Sequence, residues 1–392
     1  MIDSKAFVLR KEDFQKDKSG HSSSLTNRGQ IMVVGVPLPA DGEVLIRNVA
    51  AGINFNGVWS LRGFPANPFQ MIENHVQRNP RDQHHQRDFQ IIGSDSAGII
   101  EAVGSGVSGW NVGDEVVIHC HSYDQDDPHS EVDSLLSETQ SIWGYQTNYG
   151  AFSQYSLVRS NQLLARPQNL TWSESASYDL TLSTAYRMLI SENGANLRAG
   201  EVCFIWGAAG GLGLFAIQLA KIVGAVVIAI VSEESRAEEC RLYGADAVIN
   251  RSEMKHQLLL EDGRPNALAW REYRKHIDRI GLGSPDVIFE HVGRETLALS
   301  VFLAKRGGRI VTCAATSGAD SQIDLRYLWL GVKKLIGSHI ATLAEAKAAT
   351  ELVASGAVRS TVSTSGELDN VAELLGRLES GSISGKAVVS IS

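Results

Sequence analysis

Residues Glu201–Lys221 read EVCFIWGAAGGLGLFAIQLAK. Val202, Phe204, Ile205 and Trp206 form a short apolar run of the kind that fills a parallel strand buried on both faces. Gly207, Gly210, Gly211 and Gly213 follow, interleaved with Ala208 and Leu212. A bend so poor in large side chains lets the backbone approach a pyrophosphate. Leu214, Ile217, Leu219 and Ala220 then recur at helical spacing, so the bend opens a helix whose first N–H groups and dipole favour an anion. A glycine cluster alone marks many ordinary turns. Here a strand precedes it and a helix follows, which is the context that dinucleotide binding demands.

The rhythm continues on the carboxyl side. Val226–Val231 reads as a second buried strand, Arg236–Tyr243 as a helix and Ala247–Ile249 as a third strand. Asp286–Glu290 and Gly308–Cys313 look like later strands of the same sheet, and the charged stretch Met254–Ile280 reads as a helical excursion on the surface. From about Ser183 onward this alternation predicts an α/β domain with a doubly wound parallel sheet, the Rossmann arrangement. The amino side differs. Glu43–Val49 alternates, Ala97–Val103 runs into Gly104, Gly106, Gly109 and Gly113, and Asp114–His119 restarts as an apolar strand. Short strands joined by tight turns predict a largely β, barrel-like domain. The expected division is 1–182 for a β-rich substrate domain, 183–339 for the dinucleotide-binding domain and 340–392 for a return to the first. That return holds a helix at Leu343–Ser355 and a strand at Lys386–Ile391. Phe64–Gln90, with three prolines, and His121–Ser141 show little apolar periodicity and read as long loops at a substrate entrance.

Bulk properties narrow the class. The chain has 392 residues, 43% of them hydrophobic and 20% charged, which suffices for two cores. A net charge of −8 and the lack of a basic stripe with interleaved aromatics argue against nucleic acid as a partner. No apolar run reaches the roughly 18–20 residues that a membrane span needs. MIDSKAFVLRKEDF lacks the apolar centre of a signal peptide. Cys120, Cys203, Cys240 and Cys313 are too scattered for a zinc cluster or a disulfide framework, so a reducing cytoplasm is expected. His84–His85 and the group His119, Cys120, His121 and His129 have ligand-type side chains. Adjacent and i+2 spacings in loops seldom close a site, so no metal is expected.

The second strand bears on the cofactor. NAD enzymes usually end it with an acidic residue that meets the ribose 2′-hydroxyl. Here Ser232 follows Val231, with Arg236 about one helical turn on. Ser232 can hydrogen-bond a 2′-phosphate and Arg236 can pair with it, whereas Glu233 and Glu234 oppose this. NADPH is the expected cofactor. His291 and Gly293 follow a later strand at its carboxyl end, where cofactor contacts concentrate. Cys313 is placed likewise one strand on; no histidine–cysteine motif frames it as a nucleophile, so packing is its expected duty.

The order of a β domain, a nucleotide domain and a short return resembles the medium-chain dehydrogenase/reductase superfamily. Gly93–Val117, GSDSAGIIEAVGSGVSGWNVGDEVV, is similar to that superfamily's amino-terminal signature. In its zinc alcohol dehydrogenases a histidine and a glutamate stand at the positions of Ser94 and Asp95, so the resemblance implies a zinc-free member. Seven further segments resemble the crotonyl-CoA carboxylase/reductases among the enoyl-thioester reductases. They are NFNGVW (Asn54–Trp59), WGYQTNYG (Trp143–Gly150), STAYRMLIS (Ser183–Ser191), IWGAAGGLG (Ile205–Gly213), FEHVGRETL (Phe289–Leu297), RYLW (Arg326–Trp329) and IGSH (Ile336–His339).

That resemblance implies a GroES-like substrate domain beside the Rossmann domain, and a homodimer or homotetramer. It also implies hydride transfer from NADPH to the β-carbon of a 2-enoyl thioester, carried on coenzyme A or on acyl carrier protein. The enolate so formed takes a proton or, in carboxylating members, CO2 at the α-carbon. In those members CO2 is held by an asparagine, a phenylalanine–glutamate pair and a histidine, which match Asn56, Tyr145, Gln146 and His339. Gln146 keeps hydrogen-bonding capacity but loses the carboxylate's charge and acceptor-only character. Tyr145 adds a hydroxyl to an apolar surface, which favours protonation over CO2 capture. Thr184 matches a threonine common near the nicotinamide; alternatively it caps the helix that follows. Bland roles stand beside these: loop capping for Asn56 and Asn148, a core imidazole for His339, packing for Tyr145. The expected activity is NADPH-dependent enoyl-thioester reduction, with reductive carboxylation as an extension. A quinone or alkenal reductase and a non-catalytic NADPH-binding protein are the other readings, separated by whether turnover needs the thioester or occurs at all.

Overall fold

In the computed structural model, which describes residues 1–16 and 28–392, the chain divides into two units. One is Met1–Leu180 with Ala341–Ser392, the other Thr181–Ile340. The second unit is built on six parallel strands. Across the sheet they run Ala247–Asn250, Val226–Val231, Val202–Ile205, Val287–Glu290, Arg309–Thr312 and Lys334–Gly337. Strand order therefore reverses between the first and fourth strands in sequence, and a ligand crevice forms at the carboxyl ends at such a point. Ile228, Phe204, Ile288 and Ile310 lie in register across four neighbouring strands, and all four are fully buried. That row explains why the run of short apolar segments folds as a sheet covered on both faces. The helix Gly211–Val223 packs against it and ends at Gly224, whose φ of 86° allows its N–H to reach the carbonyls of Ala220 and Lys221.

Two expectations for this unit need amendment. Of Met254–Ile280 only Ala267–Ile280 is helical, capped by Asn266, whose side chain accepts from the N–H of Leu268. The helix is no mere surface excursion: Trp270, Tyr273 and Ile277 are buried, and the Tyr273 ring lies 5.7 Å from that of Trp206. The charged residues occupy its other face. Lys334–Gly337 adds a sixth strand that the apolar pattern does not announce.

The first unit holds a seven-stranded sheet in which Glu43–Ile53 is central, pairing with Ser96–Val103, Tyr155–Arg159 and Lys386–Ser390. The terminal strand is thus integral to this unit, with Ala387 opposite Ile53. Ile2–Arg10, Gln30–Val36 and Phe89–Ile91 form a smaller sheet. Phe64–Gln90 is not the loop expected. Pro68–Arg78 is a helix and Pro80–His85 a tight 3-10 turn. Pro68 stands in the first turn, where its missing N–H costs nothing, and the Asn67 side chain accepts from the N–H of Phe69. Phe69, Ile72 and Val76 then bury one face at i, i+3 and i+7. His121–Ser141 is largely irregular, closed by the two-residue strands His121–Ser122 and Ser141–Ile142. Among the described residues no helix is long and apolar enough to cross a membrane.

Candidate active site

The glycine bend has the tight geometry that its sequence implies. Gly207 has a φ of 54°, and a Cβ there would come within 2.8 Å of the His291 ring. A Cβ on Gly213 would lie 2.5 Å from the Gly207 carbonyl oxygen and 2.6 Å from Ala208 Cα. The first helical turn is therefore pressed against the bend itself, and the N–H groups of Gly211, Leu212 and Gly213 have no partner within the helix. Across the strand reversal, Gly293 has a φ of 88°, and a Cβ there would meet the Gly318 oxygen at 2.8 Å. His291 Nε2 lies 2.9 Å from the Trp206 carbonyl, so that nitrogen donates. Burial pushes its pKa below the ordinary range, and the ring is neutral. These features fit a dinucleotide, whose phosphates would face the N–H groups of a turn bearing only glycine and alanine as far as Gly211.

Ser232 directly follows the second strand, and Arg236 Nε sits 2.7 Å from Glu233 Oε1. Glu233 thus holds the guanidinium beside the strand end. Thr184 lies in the middle of the helix Asp179–Leu189, which rules out the capping role considered for it. Cys313 is half-buried just past Arg309–Thr312; burial, with Glu290 nearby, pushes its thiol up to about 12, so it stays protonated and inert.

In the first unit a connected run of side chains forms around Gly93 and Ser94. Asn56, in the helix Phe55–Arg62, donates from Nδ2 to Ser94 Oγ at 2.6 Å. The N–H of Gly93 donates to the Gly144 carbonyl, which brings in Tyr145 and Gln146. The buried Tyr145 hydroxyl donates to the Phe64 carbonyl at 2.8 Å, and burial raises its pKa. Gln146 Oε1 accepts from the N–H of Ile142 at 2.9 Å. Asn148 serves backbone only: it accepts from Ile91 and Tyr149 and donates to the carbonyls of His85 and Phe89. Asn56, Tyr145 and Gln146 thus cluster in this unit. Thr184, the bend, His291, Gly293 and His339 belong to the other. His339 follows Lys334–Gly337; its side chain is exposed by area, yet surrounding protein and then the Arg187 guanidinium lower its pKa.

Donor chemistry decides where a metal could sit. Where zinc relatives of the superfamily place ligands, the buried Asp95 carboxylate is met by Lys386 Nζ at 3.2 Å and Asn54 Nδ2 at 3.1 Å. Lys386 Nζ also donates to Asn54 Oδ1. Burial pushes Asp95 up to about 6 and Lys386 down, each held in check by the other. An ammonium thus stands on the carboxylate, and the set does not fit zinc. Glu43, His84 and His85 have donor atoms within 4.8 Å of one another. However, the N–H of Asn148 donates to His85 Nδ1, so a neutral His85 carries its proton on Nε2 and offers no lone pair. Burial and then His84 push His85 down to about 3, which keeps it neutral. His119 is removed from metal duty as well. Its Nδ1 faces Asp179 Oδ2 at 2.7 Å and its Nε2 the Ala341 carbonyl at 2.9 Å, so both nitrogens donate and the ring is cationic. Burial alone would lower its pKa; Asp179 outweighs that and raises it.

Comparison with known proteins agrees with this geometry. Residues 40–168 match the model of the alcohol dehydrogenase GroES-like domain, and residues 211–355 that of the zinc-binding dehydrogenases. The chain is 38% identical over 372 residues to a crotonyl-CoA reductase of Streptomyces collinus, covering 94% of this chain and 83% of that protein. It is 42% identical over 332 residues to a crotonyl-CoA carboxylase/reductase of Cereibacter sphaeroides, covering 83% and 74% of the two chains. Among solved structures, the 2-octenoyl-CoA carboxylase reductase CinF, in complex with NADP and 2-octenoyl-CoA, superimposes with a TM-score of 0.95 at 36% identity. That match covers 99% of this chain and 88% of the other. With likeness of this extent and a zinc locus filled by Lys386 and Asp95, the chain belongs to the crotonyl-CoA carboxylase/reductase family of the medium-chain dehydrogenase/reductases.

Proposed function

We propose that this chain reduces a 2-enoyl-CoA with NADPH and captures CO2 on the resulting enolate. The observation that carries the reading is the Gly207–Gly213 bend, where a Cβ on Gly207 or on Gly213 would clash, in a chain whose fold matches a relative holding NADP and an enoyl-CoA. Bound NADPH supplies hydride to the β-carbon. The chain's own contribution is orientation and charge. Asn56, tied through Nδ2 to Ser94, has its Oδ1 left for substrate, and Gln146 Nε2 has no partner among the described residues. A donor aimed at an enolate oxygen is commonly worth about 3–4 kcal/mol in the transition state. The Tyr145 hydroxyl donates its hydrogen bond to the Phe64 carbonyl, so towards the acyl group it offers ring rather than donor. That supports carboxylation more than the bare residue type does.

Coenzyme A is the favoured carrier. A pocket in the second unit gathers Arg274, Lys305, Arg306, Arg326 and Lys333 beside Tyr327, but Asp286 and Asp324 already pair with Lys305 and Arg326, so the support for this carrier is the relative seen with 2-octenoyl-CoA. The same segment supports a homodimer. Lys334–Gly337 ends the sheet, and Trp329, Leu330 and Val332 beside it are 65%, 55% and 63% exposed. Four unpaired cysteines, three of them buried, suit a cytoplasmic setting.

The test is product mass spectrometry after incubation with NADPH and crotonyl- or octenoyl-CoA, with and without bicarbonate. A mass gain of one carboxyl group is expected when bicarbonate is present. A saturated acyl-CoA alone would reduce the activity to plain reduction. Turnover of free enones but of no thioester would replace the proposal with a quinone or alkenal reductase.

A further inference from the structure

Glu290 closes the fourth strand of the parallel sheet and is fully buried. Its Oε1 accepts from the N–H groups of Val292 at 2.8 Å and Gly293 at 3.1 Å, and from the Thr296 hydroxyl at 2.8 Å. Its Oε2 accepts from the Ser300 hydroxyl at 2.8 Å. Ser300 Oγ in turn accepts from Trp206 Nε1 at 2.8 Å. All four partners donate to it, an arrangement that suits the ionised carboxylate and works against the burial that raises its pKa. Thr296 stands at the N-terminus of the helix Leu297–Leu303 yet does not cap it; its hydroxyl is turned to Glu290 instead. No lysine or arginine is among the hydrogen-bond partners of this carboxylate within the described residues. Burying a charge without a cation is costly, and packing alone would favour an apolar residue here.

What the carboxylate connects is specific. Val292 and Gly293 belong to the loop leaving the fourth strand. Trp206 immediately precedes Gly207 and hydrogen-bonds the Phe289 carbonyl through its own N–H. The two strands flank the reversal in strand order, where the crevice forms. Resting on the NADPH reading above, we propose that Glu290 is a positioning residue for the cofactor: through Val292 and Gly293 on one side, and Ser300 and Trp206 on the other, it sets the spacing between the glycine bend and the loop opposite.

The test uses the full chain, with NADPH titrated by nicotinamide fluorescence and KM measured for NADPH and crotonyl-CoA separately. Glu290→Gln removes the charge and leaves its Nε2 only the Ser300 hydroxyl to donate to, and Ser300→Ala cuts the link to Trp206 while leaving three hydrogen bonds. Losing a hydrogen bond to a charged group predicts a Kd for NADPH raised about tenfold in Glu290→Gln and several-fold in Ser300→Ala. KM for NADPH should rise with it while KM for crotonyl-CoA stays within about twofold. A purely structural role would move both KM values together, and that result overturns the proposal. So does NADPH affinity within twofold of the parent in both folded variants. If Glu290→Gln does not fold, Ser300→Ala decides alone by the same criteria. A parent protein that fails to bind NADPH would overturn the cofactor reading first, and this inference with it.

Discussion

At position 146 a neutral amide stands where the resemblance places a glutamate in carboxylating relatives. The structure shows what each half of that amide does: Oε1 accepts from Ile142, while Nε2 remains a donor. Gln146→Glu would keep the first contact and replace the donor by charge. If the donor steers a proton or water toward the enolate, the ratio of carboxylated to reduced product should rise several-fold in the variant, read by mass spectrometry at saturating bicarbonate. An unchanged ratio would remove Gln146 from the partition. The neighbouring Tyr145→Phe is the contrasting case. Its hydroxyl serves Phe64, so loss should cost about 1 kcal/mol of stability and leave the product ratio alone. On sequence alone that hydroxyl reads as part of the pocket, because nothing local to Tyr145 announces a partner 81 residues away.

At the scale of elements, legibility follows burial. Val202–Ile205 and Val226–Val231 are readable because strands covered on both faces must be apolar throughout. Lys334–Gly337 is not, since an edge strand carries no such demand. Pro68–Arg78 is hidden by its prolines, although its apolar spacing is present. What anchors that helix is also non-local. Asp82, in the turn that follows, takes His75 Nε2 at 2.7 Å and Arg159 Nη2 at 2.6 Å, and is buried. Burial alone would raise its pKa; the His75 hydrogen bond and the Arg159 charge outweigh this and hold it well below the usual range. A depressed acid contributes stability that is complete above its unfolded pKa of about 3.9 and is lost as pH falls below it. Asp82→Asn should therefore cost roughly 3 kcal/mol at pH 7. For a unit of this size that is a melting temperature lower by about 6–12 °C. The gap between variant and parent should narrow at pH 3. A gap of equal size at both pH values would mean that shape, not charge, carries the contribution.

For the whole molecule, the exposed apolar edge is the feature that a monomer least explains. Trp329, Leu330, Val332 and Leu335 fall within seven residues, each at least 40% exposed, next to a strand with an unpaired side. A two-fold axis at such an edge lets the same patch cover itself and pairs the two strands, so one surface satisfies both copies. The glycine bend lies elsewhere in the second unit and contributes no residue to this patch. Trp329→Glu combined with Val332→Lys places opposite charges on each copy but removes the apolar area, so sedimentation velocity should shift from dimer to monomer. Circular dichroism and NADPH affinity should be retained, because the substitutions touch exposed side chains far in sequence from residues 207–213. A parent protein that sediments as a monomer, or a double variant that stays dimeric, would place the subunit contact on another surface.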